Sequence, residues 1–132
     1  MTLELHATPH EVMRAVEAFE EFARAQSVPE KIIYQLQLAL EECASNIVDH
    51  GLQRDARQKF HVTFGRAGDE VFIELRDKGP EFDPTKKAES EKARDEDTIG
   101  GWGIQLVRRS VDDIRYQRQN GENVLRLSKR LA

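Results

Sequence analysis

Three short stretches of this sequence combine residue types that could do chemistry. Glu42 and Asn46 stand four residues apart, which on an α-helix puts their side chains about 40° apart on one side of the rod, off the apolar stripe. Glu41 points away from that stripe, toward solvent. Asp77-Lys78-Gly79-Pro80-Glu81-Phe82 follows an alternating apolar run. An acid at a strand end before a glycine turn can aim a carboxylate into a pocket and accept from an exocyclic amine such as that of adenine. Gly100-Gly101-Trp102-Gly103 precedes a helical pattern, where glycines let free backbone N–H groups meet a phosphate at a helix N-terminus. Each stretch alone has a plain explanation: a solvated helix face, a turn after a strand, a loop. Their order, with a highly charged segment between the second and third, argues against coincidence.

The elements that must position them follow from periodicity. Leu3 and Leu5 alternate with polar neighbours as in a short strand. Thr8-Pro9-His10-Glu11 reads as a capped helix start, with Thr8 as cap, Pro9 in the first helical position and Glu11 closing a capping box. Val12, Val16, Phe19 and Ala23 then recur at helical spacing toward Gln26. Pro29 opens a second helix in which Ile33, Leu36, Leu40, Cys43 and Ile47 share a face, with Gly51 placed to end it near His50. From Lys59 the period is two: Phe60, Val62 and Phe64, a turn at Arg66-Ala67-Gly68-Asp69, then Val71, Ile73 and Leu75. Ten of the fifteen residues from Asp83 to Asp97 are charged, so this stretch cannot bury a face and is predicted to be a mobile surface segment. A short helix is expected over Ile104 to Val111, then a strand at Ile114 and Tyr116, a two-residue turn at Asn120-Gly121, and a returning strand over Val124 to Leu127. The fold class is therefore α+β, a two-layer sandwich with helices on one face of a mixed, mostly antiparallel sheet.

Composition narrows the function classes. The 132 residues are 39% hydrophobic and 33% charged, with a net charge of -4, which suits one domain over 1–132 and disfavours nonspecific nucleic-acid binding. No apolar run is long enough to span a membrane, and the start MTLELHATPHE lacks the basic and apolar regions of a signal peptide, so a cytoplasmic protein is expected. Cys43 is the only cysteine, which excludes an intramolecular disulfide and a multi-cysteine metal site.

Glu42-Cys43-Ala44-Ser45-Asn46-Ile47-Val48-Asp49-His50-Gly51 resembles the N box of the Bergerat-fold, histidine-kinase-like ATPases. Asp77 to Phe82 resembles their first glycine box, and Gly100-Gly101-Trp102-Gly103-Ile104-Gln105-Leu106-Val107 their second. The short length, the two helices before the hairpin and the ending Asn123-Val124-Leu125-Arg126-Leu127 look most like the bacterial anti-sigma factors that are also serine/threonine-protein kinases. The resemblance implies ATP and Mg²⁺ as cofactors. It implies Asn46 as the Mg²⁺ ligand, Glu42 as the base that takes the proton of the attacking hydroxyl, Asp77 as acceptor from the adenine amine, Gly79 for close approach and Phe82 against the base. Gly101, Gly103 and the backbone of Ile104 would hold phosphates, His50 would lie near them, and residues 83–99 would form a lid over ATP. The implied partners are a sigma factor and a small antagonist protein carrying the phosphorylated serine or threonine, with a homodimer as the implied assembly. The chain departs from the family pattern at Glu81, where many relatives have glycine, at Thr98-Ile99, which puts no basic residue beside the glycine pair, and at Asn123, where relatives often have threonine. Lys86, Lys87, Lys92 or Arg94 would then have to reach the γ-phosphate. An alternative is a nucleotide-sensing regulatory module without kinase activity. The ATPase part of a two-component histidine kinase ranks lower, because His6, His10, His50 and His61 all stand in poor contexts for a phosphoacceptor.

Overall fold

The computed structural model of the chain describes residues 1–86 and 99–131. Strand β1 (Thr2–His6) leads into helices α1 (Pro9–Ala25) and α2 (Glu30–Asn46), followed by the strands β2 (Lys59–Ala67) and β3 (Glu70–Asp77). Helix α3 (Ile99–Ser110) precedes a closing hairpin of β4 (Asp113–Gln119) and β5 (Glu122–Arg130). The segment expected as a lid lies largely at 87–98, outside the described residues, as do Lys87, Lys92 and Arg94.

Helix α1 starts where its cap predicts. The Thr8 hydroxyl oxygen accepts from the Glu11 N–H at 3.3 Å, and Pro9 fills the first helical position. The second half of the capping box is diverted: the Thr8 N–H is taken by the His6 carbonyl at 2.8 Å, so Glu11 Oε1 accepts from the His6 N–H instead, at 3.3 Å. The α1 stripe of Val12, Ala15, Val16, Phe19 and Ala23 is buried. Phe19 meets Phe64 edge-on, with ring centroids 5.2 Å apart, which ties the helix to β2.

Helix α2 buries Ile33, Leu36, Ala39, Leu40, Cys43 and Ala44. The expectation of an α-helix running to His50 is corrected: α-geometry ends at Asn46, and Ile47–Gly51 forms a π turn. The Leu52 N–H donates to the Ile47 carbonyl at 2.7 Å, five residues back rather than four. The wider turn keeps Val48 fully buried and leaves Asn46 at the change of pitch, a kind of irregularity frequent at functional sites.

The sheet has the order β1-β2-β3-β5-β4. Every pairing in it is antiparallel, a correction to the expected mixed sheet. β4 does run in the same direction as β3, but the two are not neighbours, because β5 lies between them. Asn120 and Gly121 adopt φ of 53° and 77°, the left-handed pair of a tight hairpin turn, so β4 and β5 must be antiparallel. β5 takes the inner place because Val124, Leu125, Leu127 and Ser128 bury both of its faces, whereas β4 is mostly exposed and suits an edge.

One face of the sheet carries Leu5, Phe60, Val62, Phe64, Ile73, Leu75, Leu125 and Leu127, all buried, and the helices cover it. That apolar layer ends in a polar pair. Asp77 and Asn123 are register partners at the end of β3 and the start of β5, on the same helix-covered face. Among the described residues no helix is long and apolar enough to cross a membrane.

Candidate functional site

Asp77 and Asn123 are 6% and 7% exposed, an unusual degree of burial for such side chains. Their burial is compensated by hydrogen bonding. The Asn123 amide N–H groups donate to Asp77 Oδ1 at 3.1 Å and to the Pro80 carbonyl at 2.9 Å. Its oxygen accepts from the Phe82 N–H at 3.2 Å and from the Tyr116 hydroxyl. All four hydrogen-bonding positions of the amide are therefore used. Asp77 Oδ1 also accepts from the Gly79 N–H at 2.9 Å. Oδ2 has no hydrogen-bond partner among the described residues, so one oxygen of this carboxylate is saturated and the other is available.

Glycine is required at 79 on steric grounds. A Cβ there would lie 2.9 Å from Asp77 Oδ1 and 3.0 Å from the Gly51 carbonyl oxygen, so the loop after β3 packs backbone against the end of the π turn. Arg118 on β4 adds a bond from Nη1 to the Gly79 carbonyl at 2.8 Å.

These groups border a small cleft of about 40 Å³. Cys43, Asn46 and Ile47 from α2 and the π turn form one wall, Pro80, Phe82 and Pro84 a second, and Asp77, Tyr116, Asn123 and Leu125 the sheet side. The lining is apolar apart from a few polar groups, the pattern of a slot for a flat ring with an oriented edge. Phe82 is 39% exposed at the rim. Cys43 is wall rather than nucleophile: burial, and after it the Glu42 charge, push its thiol up to about 12.

The other expected site residues divide. Asn46 lines the cleft, and its amide makes no hydrogen bond to a described residue. Glu42 sits one turn back along α2, outside the cleft lining and partly buried; burial first and the neighbouring Glu41 charge second raise its carboxyl above the ordinary carboxylate range. It meets α3, where a Cβ on Gly103 would collide with Glu42 Oε2. His50 is exposed and does not border the cleft.

The glycine cluster does not precede the third helix. α3 begins at Ile99, so Gly101 falls in its first turn, where N–H groups have no intrahelical partner, while Gly103 and Ile104 fall in the next. Ile104 is 3% exposed and belongs to the core. The missing Cβ at 103 leaves room for the Glu42 carboxylate against α3.

Sequence reasoning did not select Tyr116, Pro80, Pro84 or Gly51, and noted Asn123 only as a departure from a family pattern. The missing information was the position of β5 beside β3, which sets Asn123 against Asp77 across 46 residues.

Residues 5–129 match the model of the histidine kinase-like ATPase domain. The chain belongs to that family. It is 30% identical to the serine/threonine-protein kinase BtrW of Bordetella bronchiseptica, over 99% of this chain and 94% of that one. It is 28% identical to the serine-protein kinase RsbW of Oceanobacillus iheyensis, over 76% of this chain and 66% of that one, so it spans nearly all of BtrW and just under two thirds of RsbW. Among solved structures, the RsbU and RsbW domains of Rv1364c from Mycobacterium tuberculosis superpose with a TM-score of 0.71 at 21% identity, covering 99% of this chain and 32% of that one. That likeness shows the shared fold: an antiparallel sheet with helices on one face, of the Bergerat ATPase type.

Proposed function

We propose that this chain is an ATP- and Mg²⁺-dependent serine/threonine-protein kinase that acts as a cytoplasmic anti-sigma factor, phosphorylating a small antagonist protein and binding a sigma factor. The observation that carries the nucleotide half is Asp77: a buried carboxylate with Oδ1 saturated and Oδ2 available, at the edge of an apolar slot. Such a group accepts from the exocyclic amine of adenine while Phe82 and the α2 wall cover the ring. The kinase half is supported by similarity to BtrW and RsbW, which carry that activity in their names. The anti-sigma half is supported by the resemblance of the three boxes and the chain's ending to that branch.

Asn46 fits a metal-ligating role, since its amide lines the cleft and has no partner among the described residues. The described residues hold no cluster of three acidic, histidine or cysteine side chains that could cage an ion, which suits Mg²⁺, a cation commonly held by one or two protein oxygens plus substrate phosphates. When bound, the ion would neutralise phosphate charge. Glu42, on the same side of α2 and packed beside Gly103, would take the proton of the incoming hydroxyl, and the first turn of α3, with Gly101, would direct N–H groups at phosphate oxygens.

A second reading, a nucleotide-sensing module without kinase activity, is favoured by one observation: Glu42 does not border the cleft. Two measurements test both. Isothermal titration of the purified chain with ATP, with and without Mg²⁺, should show magnesium-dependent binding; no binding by a folded chain overturns both readings. Transfer of phosphate from ATP to a candidate antagonist protein separates them, since binding without transfer over hours supports the sensing module.

A further inference from the structure

We propose that Asn123 is the base-selecting residue of the nucleotide site, because its amide occupies Asp77 Oδ1 and thereby makes Asp77 a one-oxygen acceptor that admits a 6-aminopurine and rejects guanine. The inference rests on the nucleotide-binding reading and goes beyond it to how this chain discriminates between bases.

Two backbone groups fix the orientation of Asn123. The Pro80 carbonyl can only accept and the Phe82 N–H can only donate. Asn123 contacts both, so its amide cannot rotate by half a turn: the NH₂ must face Pro80 and the oxygen must face Phe82. The Tyr116 hydroxyl, donating to the same oxygen, reinforces that orientation. The second N–H of Asn123 is then committed to Asp77 Oδ1, which also accepts from the Gly79 N–H. Loop backbone thus dictates the polarity of Asn123, and Asn123 together with the Gly79 N–H fills both acceptor positions of Asp77 Oδ1 and leaves Oδ2 available.

The chemical consequence differs between purines. Adenine offers one amine at position 6, which needs one acceptor. Guanine offers a carbonyl at position 6 and, beside it, the parallel N1–H and 2-amino donors, which pair strongly with a carboxylate only when both oxygens are available in one plane. An unguarded aspartate in this slot could hold guanine by that two-point contact. With Oδ1 saturated by Asn123 and Gly79, the two-point contact is blocked and a carbonyl facing Oδ2 is repelled. This is discrimination by denying the wrong ligand its hydrogen bonds. Asn123 is therefore a positioning residue acting through Asp77.

The wild-type chain tests the proposal without any substitution. Titration with the triphosphates of adenine, 2,6-diaminopurine, hypoxanthine and guanine should give much weaker affinities for the last two, whose position-6 carbonyl faces Oδ2, and no gain from the 2-amino group within either pair, because it finds no acceptor. Guanine binding tenfold or more tighter than hypoxanthine would mean that both oxygens of Asp77 are in use, and would overturn the proposal. Variants supply the second arm. Asn123→Ala frees one of the two occupied acceptor positions of Oδ1, the Gly79 N–H keeping the other, and should lower the ATP-over-GTP preference by about tenfold or more, the scale of a lost bidentate distinction. Asn123→Thr keeps a hydroxyl donor and should retain the preference. A structural role alone would weaken ATP and GTP equally, so an unchanged ratio in a folded Asn123→Ala protein overturns the proposal while leaving nucleotide binding intact. Failure of the folded wild-type chain to bind ATP overturns the nucleotide reading and the base selection with it.

Discussion

Glu42 on α2 and Gly103 on α3 meet with no room between them: a Cβ on Gly103 would collide with Glu42 Oε2. The atom struck is the far end of a flexible side chain, so the helices need not separate to relieve the clash. Glu42 would swing away instead. Gly103→Ala replaces a helix-interior glycine and gains about 1 kcal/mol of helix propensity, which offsets the cost of moving the carboxylate. The expected outcome is a melting temperature close to wild type, ATP affinity retained within about threefold, and phosphoryl transfer reduced by an order of magnitude or more, the scale of a lost general base. Parallel melting, titration and transfer assays check it. Full transfer activity in the alanine variant would mean that Glu42 does not act from the position it takes beside Gly103.

Glu42→Gln should abolish transfer and keep ATP binding, and its stability should report the burial of the charge. Burial, followed by the Glu41 charge, raises the Glu42 carboxyl. A carboxyl that holds its proton more firmly folded than unfolded favours the folded state at low pH, and that contribution is lost as pH rises through the folded value. At about pH 7.5 the ionised group is therefore a net cost. Removing the charge should raise the melting temperature by roughly a degree or two there, a small shift because Glu42 is only partly buried and solvent screens it. The difference should close near pH 4. A lower melting temperature for Glu42→Gln at neutral pH would show that the ionised carboxylate is stabilised by a contact absent from the structure.

The parts of this molecule that were legible in its sequence are those settled within a few residues. Thr8-Pro9 sets the start of α1, and Asn120-Gly121 sets the last hairpin, because a cap and a left-handed turn depend on local backbone chemistry. Asp77 stood out for the same reason, an acid at a strand end before glycine. What could not be read depends on distant chain segments. β5 rather than β4 lies beside β3, and only that choice sets Asn123 against Asp77. α3 starts at Ile99 and runs through Gly100, Gly101 and Gly103, against the local reluctance of glycine to be helical. The π turn at Ile47–Gly51 is likewise invisible to a 3.6-residue period, since Val48 satisfies the apolar pattern under either geometry.

Asn46 offers a test of metal dependence that does not rely on transfer. Its amide borders the cleft at the change from α to π geometry, without a partner among the described residues. Asn46→Ala removes the oxygen and leaves the helix former best suited to the position. Affinity for ATP in the presence of Mg²⁺ should fall by about tenfold or more, while affinity for ADP without metal should change by less than about threefold, since only the first contact set includes the metal ligand. Titration under the two conditions decides it. Equal losses would make Asn46 a wall of the cleft and remove it from any metal-ligating role.

Asp77→Asn isolates the available oxygen of the buried carboxylate. The new amide can present its oxygen to the Gly79 and Asn123 N–H groups, which now bind Oδ1 at 2.9 and 3.1 Å, because turning the amide the other way would set donor against donor. Its NH₂ then replaces Oδ2 and faces the cleft, where the adenine amine would meet a donor. The charge-assisted character of the two retained bonds is lost, so stability should fall by about 1 kcal/mol, a shift of a few degrees in melting temperature. ATP binding should suffer far more, by about thirtyfold or more, which is the scale of leaving a buried donor unpaired. Titration and thermal melting of the same preparation separate the two effects. An ATP affinity within threefold of wild type in a folded Asp77→Asn protein would show that the base is held elsewhere in the cleft, and would shift attention to Tyr116 and Phe82.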